Sequence, residues 1–74
     1  MPFKRIDIVP SSNVMAVEYD EAAQTLLITF VRGERQYQYQ GVDAKTAEGF
    51  TVSGLTAGAY FLSSIKGRFP YQEV

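Results

Sequence analysis

Apolar and polar residues alternate along three short segments in the first half of the chain. Alternation with a period of two is typical of strands that bury one face. The segments are rich in β-branched and aromatic residues and are separated by turn-forming residues, which strengthens the assignment. They cover residues 14–19, 25–31 and 35–40.

The second and third segments are joined around Arg32-Gly33, a pair suited to a two-residue type I′ turn. Such a turn places Phe30 opposite Arg35 and Ile28 opposite Tyr37. Five apolar side chains then share one face of the hairpin: Leu26, Ile28, Phe30, Tyr37 and Tyr39. The other face carries a mixed set of side chains: Leu27, Thr29, Val31, Gln36, Gln38 and Gln40.

In the first segment the more apolar alternate set is Met15, Val17 and Tyr19. A loop of four or six residues after this segment keeps that set on the face that carries Ile28. The three segments are therefore predicted to form an antiparallel meander with one buried face. Residues 4–9 suggest an additional edge strand before it.

After residue 41 the hydrophobic pattern takes a helical period. Asp43 is a suitable N-cap for a short helix that turns Ala47 and Phe50 inward, with Gly49 and Gly54 bracketing its fraying end.

A second helix is predicted from a stripe at helical spacing: Leu55, Gly58/Ala59, Phe61, Leu62 and Ile65. Lys66 in the last turn, Gly67 at C′ and Pro70 beyond it are the expected stop signals. Because strands precede helices, the fold class is α+β, with two helices covering one sheet face in a single domain over residues 1–74.

The amino-acid composition excludes more kinds of functional site than the hydrophobic pattern does. The chain has 74 residues, and none of them is cysteine or histidine. Disulfides, thiolate or imidazole metal sites and the commonest general base are therefore unavailable, and no cofactor or metal site is predicted. No arrangement of nucleophile and base is found either, so we expect a protein that is not an enzyme.

The N-terminus has a basic pair but no apolar region behind it that could form a signal peptide. No segment approaches the length of apolar sequence that a membrane span requires. We therefore expect a cytoplasmic protein that does not interact with membranes.

The order of these motifs resembles the KTSC domain, named for the C-terminal extension of some lysyl-tRNA synthetases and also found as a small stand-alone protein in bacteria and phages. The resemblance spans residues 11–71. It is carried by Ser11-Ser12, Tyr19-Asp20, Thr25-Leu26, Phe30, Gly33, Tyr37-Gln38-Tyr39, Gly41-Val42, Gly58, Tyr60-Phe61 and Ile65-Lys66. The sequence departs from the family pattern at Thr56, where a serine is expected, and at Leu62, where a polar residue is expected.

The resemblance implies a binding module, because RNA binding has been suggested for the family from its synthetase connection. Four cations could contact nucleic acid, Arg32, Arg35, Lys66 and Arg68. The net charge of −1 and the pI of about 5.2 argue against a strong interaction with phosphates.

Two other features have competing interpretations. Tyr37 and Tyr39 could form a stacking platform for bases, but the strand register places them on the face that the helices cover. We therefore expect the family motif, which is Tyr37, Tyr39, Gly58, Tyr60 and Phe61, to belong mainly to the core. The mixed outer face of the sheet is the candidate surface for a protein partner or a second copy, unless the 6–8 segment packs across it.

Overall fold

A five-stranded antiparallel sheet forms one layer of the molecule, and two short helices pack on one of its faces. The computed structural model describes residues 3–74, so Met1 and Pro2 of the predicted domain lie outside the described residues. The elements are β1 (Lys4–Arg5), β2 (Val14–Asp20), β3 (Thr25–Phe30), β4 (Gln36–Gln40), α1 (Ala44–Val52), α2 (Ala57–Tyr60) and β5 (Tyr71–Glu73).

The predicted α+β class is confirmed, and the three-stranded count was too low. The sheet order follows the chain, from β1 to β5. β1 is the edge strand suggested by the sequence, although it is only two residues long. β5 was missed because its three residues are all exposed, so no alternation between buried and exposed positions marks them.

The register of the β3–β4 hairpin is the predicted one, with Ile28 opposite Tyr37. The turn that joins β3 and β4 differs from the predicted one. The loop of residues 31–34 is closed by a hydrogen bond from the Phe30 N–H to the Arg35 carbonyl at 2.8 Å and contains a short 3₁₀ helix, Arg32–Glu34, in which Gly33 and Glu34 have φ values of 71° and 51°. A four-residue loop preserves the alternation that a two-residue loop would give, because both have an even number of residues. The predicted type I′ turn was therefore wrong, and Val31 lies in the turn instead of on the outer face of the sheet.

A β-bulge at the start of β2 changes which of its residues face the core. Val14 pairs with Phe30 and Ala16 with Thr29, so Met15 is an extra residue without a partner. Met15 is consequently exposed and Val14 is buried. The prediction for Met15 was wrong, whereas Val17 and Tyr19 are buried as expected.

The segment between β1 and β2 packs on the inner side of the sheet. Ile6 and Ile8 contact the hydrophobic core, and Val9 forms a parallel bridge to Thr56. The alternative that this segment crosses the outer face was therefore wrong. Among residues 3–74, no helix covers that face.

The core lies between the sheet and the helical segments, and its largest fully buried side chains are Phe50, Leu26, Ile28, Ile65, Val17 and Val42. Gly49 lies inside α1 instead of at a fraying end, and it is buried. A Cβ there would overlap the hydroxyl of Tyr60 and lie 2.7 Å from its ring carbon Cε1. The glycine therefore makes room for a tyrosine ring that packs on the helix.

The second helix is phased differently from the prediction. After α2 the chain continues as a π-helical turn over Phe61–Ile65, which ends with the Lys66 N–H donating to the Phe61 carbonyl at 2.9 Å. This turn buries Phe61 and Ile65 and leaves Leu62 exposed. Leu55 precedes α2 and is also exposed, so both leucines were wrongly assigned to the core.

The ends of the second helix follow the sequence signals. Thr56 is the N-cap, and its hydroxyl accepts a hydrogen bond from the Ala59 N–H at 3.3 Å. A serine at this position could make the same bond, so this departure from the family pattern preserves the cap. Gly67 has a φ of 79° and ends the helical region as expected. Gly58 lies in the first turn of α2.

Candidate functional site

A cleft of about 440 Å³ opens where the β3–β4 turn, β5 and the π-helical turn meet. It is the candidate functional site because aromatic and cationic side chains from separate parts of the chain converge there. Its lining residues are Asn13, Phe30, Arg32, Arg35, Tyr37, Tyr39, Phe61, Leu62, Lys66 and Tyr71. None of these residues is acidic.

Five of the lining residues form a closed ring of aromatic contacts. We call this set the aromatic cluster: Phe30, Tyr37, Tyr71, Tyr39 and Phe61, in the order of contact. Neighbouring ring centroids are 5.2–5.6 Å apart. The pair Tyr39 and Tyr71 is stacked and the other contacts are edge-on or tilted, so each ring is held by two others.

The tyrosines of the aromatic cluster line the cleft and have unpaired hydroxyl groups within the described residues. Among residues 3–74, no hydrogen-bond partner is found for the hydroxyls of Tyr37, Tyr39 and Tyr71. No buried side-chain polar atom in this part of the chain lacks a partner. The Tyr39 hydroxyl is therefore not fully buried, although the residue as a whole is only 4% exposed.

The pKa of the Tyr39 phenol is raised, first by burial and then by the neighbouring phenols of Tyr71 and Tyr37. A phenol is already protonated at physiological pH and can donate a hydrogen bond there, and the raised pKa extends the protonated state to more alkaline pH. The residues that line the cleft therefore combine aromatic rings with hydroxyl groups that can donate hydrogen bonds.

Three cationic side chains line the cleft, and each comes from a different part of the fold. Arg32 comes from the 3₁₀ turn, Arg35 from the residue before β4 and Lys66 from the end of the π-helical turn. The i→i+5 hydrogen bond of that turn brings Lys66 to the same side as Phe61. Arg35 also forms a solvent-exposed ion pair with Glu73, with Nε and Oε2 3.9 Å apart.

Arg68, the fourth predicted nucleic-acid contact, is directed away from the cleft. Its Nε donates to the Ser63 carbonyl at 3.1 Å, and it lines a separate depression with Tyr60 and Phe69. Tyr60 also lies outside the cleft, because its hydroxyl donates to the Thr46 carbonyl at 2.6 Å. The structure thus brings together three of the four predicted cations.

Acidic groups gather elsewhere, around Tyr19 at the β2–β3 loop. The pKa of the Tyr19 phenol is raised by burial first and then by the carboxylates of Asp43, Glu21 and Asp20. These carboxylates lie near Tyr19, where Lys4 and Arg5 also lie, whereas three cations and no carboxylate line the cleft. A local cationic site can attract an anion even when the whole chain is slightly acidic.

Comparison with known proteins assigns the chain to a family. The KTSC domain matches residues 10–69. The chain belongs to the KTSC domain family. The crystal structure of a KTSC domain protein from Yersinia pestis superposes with a TM-score of 0.83 and 30% sequence identity, covering 97% of each chain. No match is found among curated proteins.

Within this KTSC domain, the family motif belongs mainly to the core, and part of it also lines the cleft. Tyr39 and Phe61 are buried core residues that line the cleft, and the half-buried Tyr37 lines it as well. Tyr60 packs on α1, and Gly58 is buried in α2. All lining residues except Tyr71 fall inside the matched region of 10–69.

Two lining residues were not predicted from the sequence. Tyr71 is a single aromatic residue between a proline and three C-terminal residues, and only its pairing with Tyr39 across β4 and β5 places it in the site. Asn13 lies in a polar run that reads as a turn. Leu62, which departs from the family pattern, also lines the cleft.

The outer face of this KTSC domain carries the other candidate surface. Leu27, Thr29, Gln36 and Gln38 are partly or fully buried by their neighbours in the sheet, and Gln40 is exposed. The Gln36 side chain donates to the Thr29 hydroxyl at 3.1 Å, which ties β4 to β3 on this face. Glu18, Leu27, Gln38 and Gln72 lie in one row across four strands.

Residues 3–74 contain no group of three or more acidic residues placed to hold a metal ion. Within the same part of the chain, no helix has the length and apolar character needed to cross a membrane.

Proposed function

We propose that this KTSC domain is a non-enzymatic, cytoplasmic binding module whose cleft binds a short stretch of single-stranded RNA. The observation that supports the proposal is the convergence of the aromatic cluster with Arg32, Arg35 and Lys66 at one cleft that no acidic residue lines. Aromatic faces combined with a cationic rim are the usual means of holding unpaired bases and their phosphates.

Stacking would supply most of the binding energy. Tyr71 is 61% exposed and Tyr37 is half-buried, so both offer ring surface to a base that enters the cleft. A base stacked on an aromatic side chain contributes about 1–3 kcal/mol. One or two stacked bases therefore give a weak interaction.

The cations limit the electrostatic contribution to at most three phosphates. For single strands the logarithm of the affinity changes with the logarithm of salt concentration by roughly −0.7 per neutralised phosphate. With two or three phosphates, raising the salt from 50 to 200 mM should weaken binding roughly 7- to 18-fold. The affinity is expected to be modest and salt-sensitive.

Fluorescence anisotropy with labelled single-stranded RNA and with tRNA, at 50 and 200 mM salt, tests the proposal. The decisive variants are Lys66→Gln and Arg68→Gln, which remove the same charge two positions apart. Lys66 lines the cleft and Arg68 does not. Lys66→Gln should weaken binding and flatten the salt dependence, whereas Arg68→Gln should leave both unchanged.

Absence of binding at 50 mM salt would refute the proposal. Equal weakening by the two variants would show that binding depends on overall charge and not on the cleft. Tyr71→Ala should weaken binding without changing the salt dependence, because it removes a stacking surface and no charge.

A second candidate function is self-association through the outer face. The observation that favours it is that the 6–8 segment packs on the inner side and leaves this mixed face without a covering element among the described residues. Leu27→Lys should then abolish a dimer that light scattering detects at high concentration, whereas Val52→Lys should not, because Val52 lies on α1. A wild-type monomer at high concentration would refute this candidate.

A further inference from the structure

The last strand of the sheet, β5, has one edge without a neighbouring strand among residues 3–74. Its three residues, Tyr71–Glu73, are all exposed, so the strand is not packed beneath another element of this part of the chain. It contains no proline or lysine, and its pairing with β4 shows no bulge. These are common devices that keep a sheet edge from pairing with another chain. The single charge of the strand, on Glu73, is paired with Arg35.

The hydrogen bonds between β4 and β5 show which backbone groups face the free edge. The Val74 N–H donates to the Gln36 carbonyl at 2.9 Å. Because the direction of backbone groups alternates along a strand, positions 72 and 74 turn theirs towards β4. Tyr71 and Glu73 lie between and beside these positions, so their N–H and C=O groups point outwards.

The outward groups of β5 match those of a second copy of the same strand. When two β5 strands run antiparallel about a two-fold axis at Gln72, Tyr71 of one copy lies opposite Glu73 of the other. Each such pair exchanges two hydrogen bonds, and the axis generates two pairs, so four hydrogen bonds form and no outward group of β5 is left over. No like charges lie opposite each other in this register, which would be unfavourable.

The residues that flank β5 fit the same register. Val74, which is 67% exposed, would lie opposite Pro70 of the second copy, so two apolar side chains meet at each end of the strand pair. Pro70 has no N–H to donate, and its carbonyl already accepts from the Gln40 N–H at 2.9 Å. The proline therefore falls where the second copy needs no backbone partner.

The opposite edge of the sheet is less suited to such pairing. The Ile6 N–H donates to the Val17 carbonyl at 2.8 Å, and β1 has only two residues. Arg5 is therefore the one residue of β1 that turns its backbone groups outwards. Two β1 strands would also bring the cationic side chains of Lys4 and Arg5 together, which protects this edge.

We propose that two copies of this domain associate through their β5 strands and form one continuous antiparallel sheet with five strands from each copy. The interaction surface is the edge of β5, which is distinct from the outer face of the sheet, and the association does not require RNA. A strand of three residues provides few contacts, so the dimer is weak and reversible.

Two substitutions at one position test the proposal by analytical ultracentrifugation at high protein concentration. Glu73→Pro removes an N–H that faces the free edge and has no partner within residues 3–74. The dimer then loses two of its four hydrogen bonds, so its dissociation constant should rise roughly ten-fold or more. Glu73→Gln removes the same charge and the same ion pair but retains the N–H, so the dissociation constant should stay within about two-fold of the wild-type value.

Disulfide cross-linking tests the register, because the natural chain contains no cysteine. In the proposed dimer Gln72 lies opposite Gln72 of the second copy in a non-hydrogen-bonded pair, with Cα atoms about 4.5 Å apart. This separation allows a disulfide, so Gln72→Cys should give a covalent dimer with oxidised glutathione. Gln40→Cys is the control. It is also exposed, but both β5 strands separate it from its copy, a distance of about 14 Å or more.

The outcomes separate this inference from the other proposals. A wild-type monomer at high concentration would refute it, and so would a dimer that Leu27→Lys dissociates but Glu73→Pro does not. Equal cross-linking of Gln72→Cys and Gln40→Cys would also refute it, because collisions without a fixed register would explain the result. If Glu73→Pro lowers thermal stability, the comparison of the two cysteine variants decides. RNA binding is measured separately and is not affected by any of these results.

Discussion

Two tyrosine environments on the same side of the sheet differ in whether their hydroxyl groups have a hydrogen-bond partner. Near α1, the hydroxyls of Tyr19 and Tyr60 donate to the carbonyls of Val42 and Thr46. In the cleft, the hydroxyls of Tyr37, Tyr39 and Tyr71 have no partner within residues 3–74. Tyr19, Tyr39 and Tyr71 nevertheless lie in one row of the sheet, with Leu26 between the first two.

The two environments differ because different elements of the fold pack over the row that contains Tyr19, Tyr39 and Tyr71. Helix α1 and the loop before it supply carbonyl oxygens above Tyr19 and Tyr60, so these phenols complete the core. β5 is an exposed strand of three residues. The aromatic cluster at this strand buries the tyrosine rings but provides no hydrogen-bond partner for their hydroxyl groups. A buried polar group without a partner is costly, so the free phenols are found only where the surface opens into a cleft.

The strongest test of the closed environment is Gly49→Ala. The new Cβ would overlap Tyr60, which is also held by its bond to Thr46, so neither can move freely. We expect a loss of about 1–3 kcal/mol in the free energy of unfolding, measured in urea. Gly58→Ala should cost less, because its Cβ meets the end of the exposed Asn13 side chain. Stabilisation by the higher helix propensity of alanine would contradict the packing of Tyr60 on Gly49.

Removing single hydroxyls distinguishes the two environments directly. Tyr60→Phe should lower the free energy of unfolding by about 1 kcal/mol, because the Thr46 carbonyl loses its donor. Tyr39→Phe should change it by less than about 0.5 kcal/mol, although Tyr39 is the more deeply buried residue. Thermal and urea unfolding of both variants would measure this, and equal losses would contradict the distinction.

Alkaline pH should destabilise both environments. The pKa values of Tyr19 and Tyr39 are raised in the folded protein, so above pH ~10 the unfolded chain releases these protons first. Stability from these groups is full below pH ~10 and falls as the pH rises through the folded pKa values. Urea unfolding between pH 9 and 11 should show a smaller decrease for the Tyr19→Phe/Tyr39→Phe double variant than for the wild type. An identical decrease in both proteins would show that other titrating groups cause the loss of stability.

The smallest expected effect concerns the ion pair at the edge of the cleft. Both partners are well exposed, so Glu73→Gln should change stability by less than about 0.5 kcal/mol. It should raise RNA affinity slightly, because Arg35 becomes free to contact phosphate. Glu48→Gln on α1 removes the same charge away from the cleft and serves as the control. An equal rise in affinity for both variants would indicate a general charge effect.

Local sequence patterns determined much of the fold. Alternation identified β2, β3 and β4, and the even spacing between them set the inward face of Ile28, Tyr37 and Tyr39. Capping and stop signals placed Asp43 and Gly67 at helix boundaries. These features depend on residues close together in the chain, and periodicity records them directly.

The wrong burial predictions for Met15 and Leu62 came from backbone irregularities that periodicity does not record. One extra residue in the bulge exposed Met15, and a π-helical turn moved Leu62 to the surface. The bulge shifts the strand repeat by one residue, and the π-helical turn shifts the helical repeat by a fraction of a turn. A prediction from periodicity assumes that neither repeat is interrupted.

The identification of the candidate site depended on both the sequence and the tertiary structure. The sequence by itself selected the tyrosines and cations as candidate residues, but it could not say which would meet. Only the tertiary structure brought Lys66 beside Arg32 and Arg35, turned Arg68 away and added Asn13 and Tyr71. The physical reason is that a cleft forms between elements distant in the chain, and their relative placement follows from packing the whole core.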